Sequence, residues 1–232
     1  MTGGGDEYGG ISMRRCWLLL SILLLLAACG GEGGTSPAGK SQVVFETEDG
    51  VEIVGTLYAT ETNSPLLLLL HRLGADRRSW EGFARSLQER GVAALAIDLR
   101  GHGESTRQGE TTISYHDFEE ADFSAMILDV SAALRFLRSD PGITQPDRVG
   151  IAGASIGANL ALSYAAEDPG IETVVLLSPG FGYRVPLSSD DMVRYGRRPI
   201  LIMASRQDGN AASDAMTLDA LAEDERHTLL LF

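Results

Sequence analysis

A serine set between two glycines is the part of this sequence best suited to chemistry. Ser155 lies in the motif Gly-Ala-Ser-Ile-Gly, after a predicted strand and before a helix predicted to begin at Ile156. Gly153 and Gly157 would allow the strand and the helix to approach closely around a strained turn. A serine on such a turn, known as a nucleophile elbow, presents its hydroxyl for attack on an acyl carbon.

The elements that must position this serine are strands alternating with helices. A hairpin is predicted over residues 43–47 and 52–59. Short apolar runs then predict strands buried on both faces, at residues 66–70, 92–97, 148–152, 173–177, 200–204 and 228–232. Helices are predicted at 80–90, 118–138 and 156–166. This order predicts an α/β fold with a doubly wound, mostly parallel sheet.

Two further motifs follow strands at the edge where open α/β sheets bind ligands. They are His-Arg-Leu-Gly at 71–74 and Asp-Leu-Arg-Gly-His-Gly-Glu-Ser at 98–105. Together with the elbow they resemble the α/β-hydrolase family in order and spacing over residues 42–232. The run Gly-Ala-Ser-Ile-Gly-Ala-Asn-Leu-Ala-Leu is similar to the serine esterase and dienelactone-hydrolase-like group. The resemblance implies a serine hydrolase that cleaves carboxylic esters or related acyl bonds.

The resemblance also implies roles for residues near the serine. The backbone N–H groups of Leu73 and Ile156 would form the oxyanion hole, in which one donor contributes about 3 to 4 kcal/mol. His71 and His102 would brace loops rather than act as the base. Arg72 stands where the family usually has glycine, and its charge would favour an anionic substrate or reaction centre.

The acid of a Ser-His-Asp triad would follow the strand at 200–204. Asp208 ends the run Ser-Arg-Gln-Asp, where the family has Gly-x-x-Asp. It would orient the histidine and stabilise its cation without taking the proton. Asp214 is the alternative, and an ordinary turn residue is the non-catalytic interpretation of Asp208.

The histidine of the triad has no clear candidate among the four histidines of the sequence. The family places it after the last strand, which here is 228–232. His227 begins that strand, about 20 Å from the serine end, and His116 is expected at the surface. We therefore expect a chain truncated at its C-terminus, without the final loop and helix. Such a chain would be nearly inactive and would expose an apolar face of the sheet.

The N-terminus is predicted to carry an export signal. A basic start at Met13 is followed by an apolar run, so residues 13–28 are predicted to be a signal peptide and 1–12 a mis-assigned start. Leu-Ala-Ala-Cys resembles a bacterial lipobox, which implies lipidation of Cys29 and anchoring in the cell envelope. An ordinary signal peptide with a chance cysteine is the alternative. Residues 29–41 are predicted to be a flexible tether.

Composition limits the remaining possibilities. The chain has 232 residues, of which 44% are hydrophobic, enough for one domain and an export segment. A net charge of −13 argues against nucleic acid as a partner. Both cysteines, Cys16 and Cys29, precede the domain, and we expect no metal and no cofactor.

The segment 180–198 is too short for a large lid, so an open cleft for small or flexible esters is expected. It is locally basic, which would attract an anionic substrate or simply form a solvated, ion-paired surface. Its aromatic and basic residues are Tyr183, Arg184, Arg194, Arg197 and Arg198.

Three functions agree with these features. A serine hydrolase with a small-molecule ester or acyl substrate is favoured. An acyltransferase would pass the acyl group to an alcohol other than water, and adding such an acceptor would distinguish it. A non-catalytic envelope lipoprotein would keep the fold as a binding surface and would not react with a fluorophosphonate at Ser155.

Overall fold

The computed structural model describes residues 1, 39–60, 63–139, 146, 148–222 and 226–232. The chain divides into a short N-terminal unit, Met1–Gly34, and a unit Thr35–Phe232 that contains every element named below. The predicted signal peptide, Cys29 and most of the predicted tether lie outside the described residues. Within the described ranges, no helix has the length and apolar character that crossing a bilayer requires.

The described strands form one sheet of ten strands, in the order β10-β9-β8-β7-β3-β4-β2-β5-β6, with β1 paired to β2. The pairings from β10 to β4 are parallel, and β2 runs antiparallel to β4. The strands are β1 Lys40–Glu46, β2 Val51–Tyr58, β3 Leu66–Leu70, β4 Ala93–Ile97, β5 Arg107–Gln108, β6 Thr111–Thr112, β7 Val149–Ala154, β8 Ile171–Leu177, β9 Ile200–Ala204 and β10 His227–Leu231. This is the α/β-hydrolase architecture expected from the sequence, including the N-terminal antiparallel hairpin.

The all-leucine strand β3 explains why the middle of the sheet is buried on both faces. Leu66, Leu68 and Leu70 belong to the larger apolar cluster, while Leu69 belongs to a smaller cluster that includes Trp80. Successive side chains of a strand point to opposite faces, so one strand contributes to both clusters. Because β3, β7, β8 and β9 are parallel neighbours, their carboxyl ends lie at the same edge of the sheet. The apolar clusters on both faces hold these strands in place.

The helices are α1 Glu81–Gln88, α2 Glu120–Ala125, α3 Ile127–Ser139, α4 Ile156–Glu167, α5 Ser189–Tyr195 and α6 Gly209–Leu221, with 3-10 turns at Arg77–Trp80 and Tyr115–Asp117. The predicted single helix 118–138 is wrong. Two helices meet at Met126, where the backbone hydrogen bonds span three residues instead of four. Met126 N–H donates to Phe123 O, and Asp129 N–H donates to Met126 O. The break occurs where Met126 and Asp129 are both fully buried.

Three other details differ from the sequence prediction. Strand β1 begins at Lys40, inside the predicted tether, because Lys40 pairs with Tyr58 of β2. The short hairpin of β5 and β6 was not predicted, since strands of two residues carry no periodicity. Helices α5 and α6 were also not predicted. On the last strand, Leu230 is 46% exposed and Phe232 at its end is 72% exposed.

Buried ion pairs fix the loop that follows β4. The Asp98 carboxylate accepts the Arg77 guanidinium and, at 2.7 Å, the Arg77 backbone N–H. The Arg100 side chain pairs with Asp129 at 2.8 Å and with Asp49 at 2.7 Å. Removing one partner of such a pair leaves a buried charge uncompensated, so these contacts hold the loop in one conformation.

Candidate active site

The serine of the Gly-Ala-Ser-Ile-Gly motif occupies the sharp turn predicted for it. Ser155 has φ 54° and ψ −118°, between the end of β7 and the start of α4. A positive φ is uncommon for a residue with a side chain and marks local strain. The Ser155 N–H donates to Leu177 O of the neighbouring strand at 2.8 Å, which holds the turn in place.

Both glycines of the motif are required by close backbone contacts. A Cβ on Gly153 would overlap the carbonyl oxygen of Gly157. A Cβ on Gly157 would lie 2.5 Å from Leu70 O and 2.7 Å from His71 O. The first turn of α4 therefore rests directly on the end of β3, where the loop with the second motif begins.

That loop turns tightly beside the elbow. Ala75 N–H donates to Arg72 O at 3.1 Å, and Gly74 has φ 71°. Within the described part of the chain, the N–H groups of Leu73 and Ile156 donate to no protein acceptor. Two amides without protein partners, on segments in contact, have the character that an oxyanion hole requires. The exposed Arg72 guanidinium donates to Leu73 O at 3.1 Å.

His71 braces this loop, as the sequence indicated. The ring is fully buried, its Nδ1 lies 2.8 Å from Arg72 O, and its Nε2 accepts the Leu99 N–H at 3.0 Å. Burial lowers the pKa of His71, and a neutral ring suits one donor and one acceptor nitrogen. The imidazole thus connects the loop after β3 to the loop after β4.

The other histidines also have structural surroundings. His102 bonds to Arg100 O at 2.9 Å and stacks on Tyr115 at 4.1 Å, and burial lowers its pKa to about 4. His116 is exposed, and His227 lies at the opposite end of the sheet, 3.4 Å from Asp219. All four histidines of the sequence fall in the described ranges; the bonds of His71 and His102 and the contact of His227 with Asp219 do not involve Ser155.

The two candidate aspartates lie at the same edge of the sheet as Ser155. Asp208 is exposed after β9 and makes no side-chain capping bond to α6. The Asp214 carboxylate, inside α6, accepts the Phe181 N–H at 3.0 Å. Burial raises the pKa of Tyr183, both aspartates add to the rise, and a side-chain interaction with Ser155 opposes it.

Sequence reasoning gave Asn159 no role and named Tyr183 only as part of the basic segment 180–198. Asn159 is fully buried one turn after Ser155, and its amide donates at 2.8 Å to Gly180 O and to Val185 O while accepting the Gly180 N–H. The loop after β8 is therefore tied to the helix that follows the nucleophile. Tyr183 lies on that loop and donates to Ser178 O at 3.2 Å. In the sequence, the only sign of this contact was Asn159 itself, a polar residue in the otherwise apolar run that follows Ser155.

A pocket of about 370 Å³ borders Tyr183. Its walls come from α2 and from the loop after β8. They include Phe123, Phe181, Arg184 and Leu187.

The fold and the strained serine define an α/β-hydrolase. Residues 61–219 match the model of the family described as serine aminopeptidase, S33, and the chain belongs to that family.

Individual relatives agree with the family. A thiohydrolase of Aspergillus aculeatus is 29% identical over 73% of this chain and 51% of its own length. A polyketide transferase of Stachybotrys chlorohalonatus is 26% identical over 80% of this chain and 58% of its own. The chain thus spans about half the length of the curated relatives it matches. A dienelactone hydrolase structure from Anabaena variabilis, 22% identical, covers 84% of this chain and 85% of its own with a TM-score of 0.67.

Proposed function

We propose that Ser155 is the nucleophile of a hydrolase that cleaves carboxylic esters or related acyl bonds. The observation that carries the proposal is the backbone of Ser155, held at a positive φ against the loop after β3. The hydroxyl oxygen attacks the acyl carbon, its proton passes to a general base, and the carbonyl oxygen becomes an oxyanion. The N–H groups of Leu73 and Ile156 receive that oxyanion.

Breakdown of the intermediate completes the reaction. The C–O or C–S bond to the leaving group breaks as the base returns the proton, and Ser155 is left as an ester. Water, deprotonated by the same base, then releases the carboxylic acid. The thiohydrolase among the relatives supports including thioesters in the substrate class.

Asp208 is the proposed acid of the triad. Its carboxylate is exposed at the carboxyl end of β9 and is not engaged in capping α6. Asp214 is the weaker candidate because its carboxylate already accepts the Phe181 N–H. The proposal assigns the general base to none of the four histidines of the sequence, since His71 and His102 bond to the backbone of their own loops and His227 lies at the opposite end of the sheet.

The proposal is tested by labelling the full chain with a fluorophosphonate probe and identifying the modified residue by mass spectrometry. Slow labelling confined to Ser155 supports it, and Ser155→Ala should abolish the label. Ser163→Ala, on the same helix, is the matched control. A folded protein labelled elsewhere, or not at all after prolonged exposure, would favour a non-catalytic binding protein.

The origin of the base is tested separately by sequencing the gene beyond codon 232. An in-frame Gly-x-x-His-Gly-like stretch supports the triad, and the extended protein should then label rapidly at Ser155. An extended reading frame without any histidine would contradict a Ser-His-Asp mechanism.

An acyltransferase is the second candidate, because a polyketide transferase is among the relatives. The acyl-serine would then be attacked by an alcohol instead of water. Product analysis with and without a small alcohol distinguishes the two, since a transferase forms a new ester in preference to the acid.

We also propose that the protein is exported and anchored in the bacterial envelope through lipidated Cys29. The support is the lipobox-like run ending at Cys29. Labelling cells with an alkyne fatty acid should modify the wild-type protein. Cys16→Ser should be modified equally, and Cys29→Ser should not. Equal labelling of the Cys29→Ser protein would contradict this anchor.

A further inference from the structure

The loop after β3, which carries Leu73, is attached at both ends to the loop after β4. At its start, the His71 Nε2 accepts the Leu99 N–H at 3.0 Å. At its end, the Asp98 carboxylate accepts the Arg77 backbone N–H at 2.7 Å. These two bonds fix the ends of the loop, and a different contact reaches the turn at its middle.

Tyr115 contacts this middle turn. The turn is closed by the Ala75 N–H, which donates to Arg72 O at 3.1 Å, and Gly74 within it has φ 71°. A Cβ placed on Gly74 would lie 3.3 Å from the Tyr115 hydroxyl oxygen and 3.9 Å from the ring carbon that carries it. The Tyr115 side chain therefore packs against the residue that follows Leu73 in the chain.

Tyr115 belongs to a row of four rings beside the loop after β3. The ring centres of His71 and His102 are 5.0 Å apart. The His102 ring stacks on Tyr115 at 4.1 Å, with 9° between the two planes, and the Tyr115 ring lies 4.0 Å from that of His116. The row runs from the buried His71 to the exposed His116. Two imidazoles in contact with one ring hold it in a single orientation, because stacked pairs are favourable beyond the area they bury.

The backbone of Tyr115 is fixed as firmly as its ring. The residue begins the 3-10 turn Tyr115–Asp117, and its N–H donates to Gly101 O at 3.2 Å. A Cβ on Gly101 would lie 2.6 Å from the Tyr115 nitrogen and 2.7 Å from the Phe118 ring, so this turn packs directly on the loop after β4. Tyr115 is therefore a preorganised support rather than a freely moving surface side chain.

We propose that Tyr115 is a positioning residue for the oxyanion hole, acting through the turn 72–75. Opening of this turn would move the Leu73 N–H away from the Ile156 N–H, and the packed Tyr115 ring opposes that movement. The catalytic meaning of the inference rests on the proposed function. The support of the turn is a structural property that is measured without any reaction.

Hydrogen exchange at the Ala75 N–H measures the closed turn directly. Exchange is followed by NMR in the 15N-labelled full chain, as wild type, Tyr115→Leu and Tyr115→Phe. Leucine removes both ring contacts, so exchange at Ala75 should accelerate about 3- to 10-fold, within the range that an aromatic pair contributes. Phenylalanine keeps the stacked ring and should stay within about 2-fold of wild type.

Phe136→Leu is the matched control. Phe136 of α3 stacks on Phe45 of β1 at 4.9 Å, so this substitution also removes an aromatic pair, outside the loops around the turn. Thermal unfolding should show that both leucine variants fold. Exchange at Ala75 should change in Tyr115→Leu and stay at the wild-type rate in Phe136→Leu.

Fluorophosphonate labelling of the same variants connects the turn to the oxyanion hole. Tyr115→Leu should lower the maximal rate of Ser155 modification by about 3- to 10-fold, as expected for a displacement of up to about 0.5 Å. The probe concentration that gives half this rate should stay within about 2-fold of wild type, because oxyanion donors act on the transition state.

The outcomes separate this inference from the proposed function. Unchanged exchange at Ala75 in Tyr115→Leu overturns the inference, even if Ser155 is labelled. Equal acceleration in Phe136→Leu overturns a specific role of Tyr115, and equal acceleration in Tyr115→Phe overturns the stacked ring as its cause. Faster exchange with an unchanged labelling rate overturns the link to the oxyanion hole. Faster exchange in a protein whose Ser155 never reacts supports the role of Tyr115 in the turn and contradicts the hydrolase.

Discussion

The closest packing at the site predicts that Gly157→Ala damages both stability and reactivity. Residue 157 lies in the first turn of α4, directly over the end of β3. The added Cβ would stand 2.5 Å from Leu70 O and 2.7 Å from His71 O. Both neighbours are backbone atoms of a buried strand and its following loop, so neither can rotate away as a side chain would.

The size of the effect follows from these distances. Real Cβ atoms are found 3.0 Å or more from their neighbours, so α4 and β3 must separate by about 0.5 Å to accept the methyl group. Overpacking of this kind costs about 1 to 3 kcal/mol. For a domain of this size that lowers the Tm by roughly 2 to 12 °C. The same shift moves Ile156 N–H relative to Leu73 N–H by up to about 0.5 Å. Since a misplacement of 1 Å costs about 100-fold in rate, this smaller shift should slow labelling by about 10-fold.

Thermal unfolding and the rate of fluorophosphonate labelling measure the two effects. Gly82→Ala is the matched control, because a Cβ on Gly82 in α1 meets nothing within 4 Å. Alanine is the better helix former there, so this variant should gain about 0.5 to 1 kcal/mol and label at the wild-type rate. A Gly157→Ala protein with wild-type Tm and labelling would refute the contact between α4 and β3 as described.

Three further predictions concern the surroundings of the site. Asp214→Ala should lower the free energy of unfolding by about 1 to 2 kcal/mol through loss of the Phe181 bond, while exposed Asp208→Ala should change it by less than about 0.5 kcal/mol in chemical denaturation. Asn159→Leu should cost about 3 kcal/mol in the same assay, since it leaves buried backbone groups at Gly180 unpaired. Burial lowers the pKa of His102 from 6.5 to about 4, so the folded protein binds fewer protons and loses stability as the pH falls from 6.5 to 4. The loss is about 3 kcal/mol. Unfolding curves across this range should be less pH-dependent in His102→Gln, and an unchanged slope would contradict the burial argument.

The sequence predicted the sheet and the elbow because both are local patterns. The five leucines of β3 and the alternation of strands with helices follow from burial and spacing along the chain. The Gly-Ala-Ser-Ile-Gly motif predicts its own backbone conformation, since few other residues fit so sharp a turn. The helix 118–138 shows the limit of this reasoning. Its apolar stripe gave no sign of the break at Met126, which depends on which residues the core buries.

The tertiary structure alone decided which residues around Ser155 hydrogen-bond to each other. Asn159 and Gly180 are separated by 21 residues, and Asp214 lies 33 residues from Phe181, so no local pattern predicts their bonds. The position of Tyr183 was not predictable either. The sequence shows it only as part of a basic segment, and it is the fold that packs the loop after β8 onto α4 through Asn159 and Gly180. Local propensities determine where a strand ends. Which side chains then meet at that edge depends on how the loops cross the sheet, and only the folded chain brings those distant segments together.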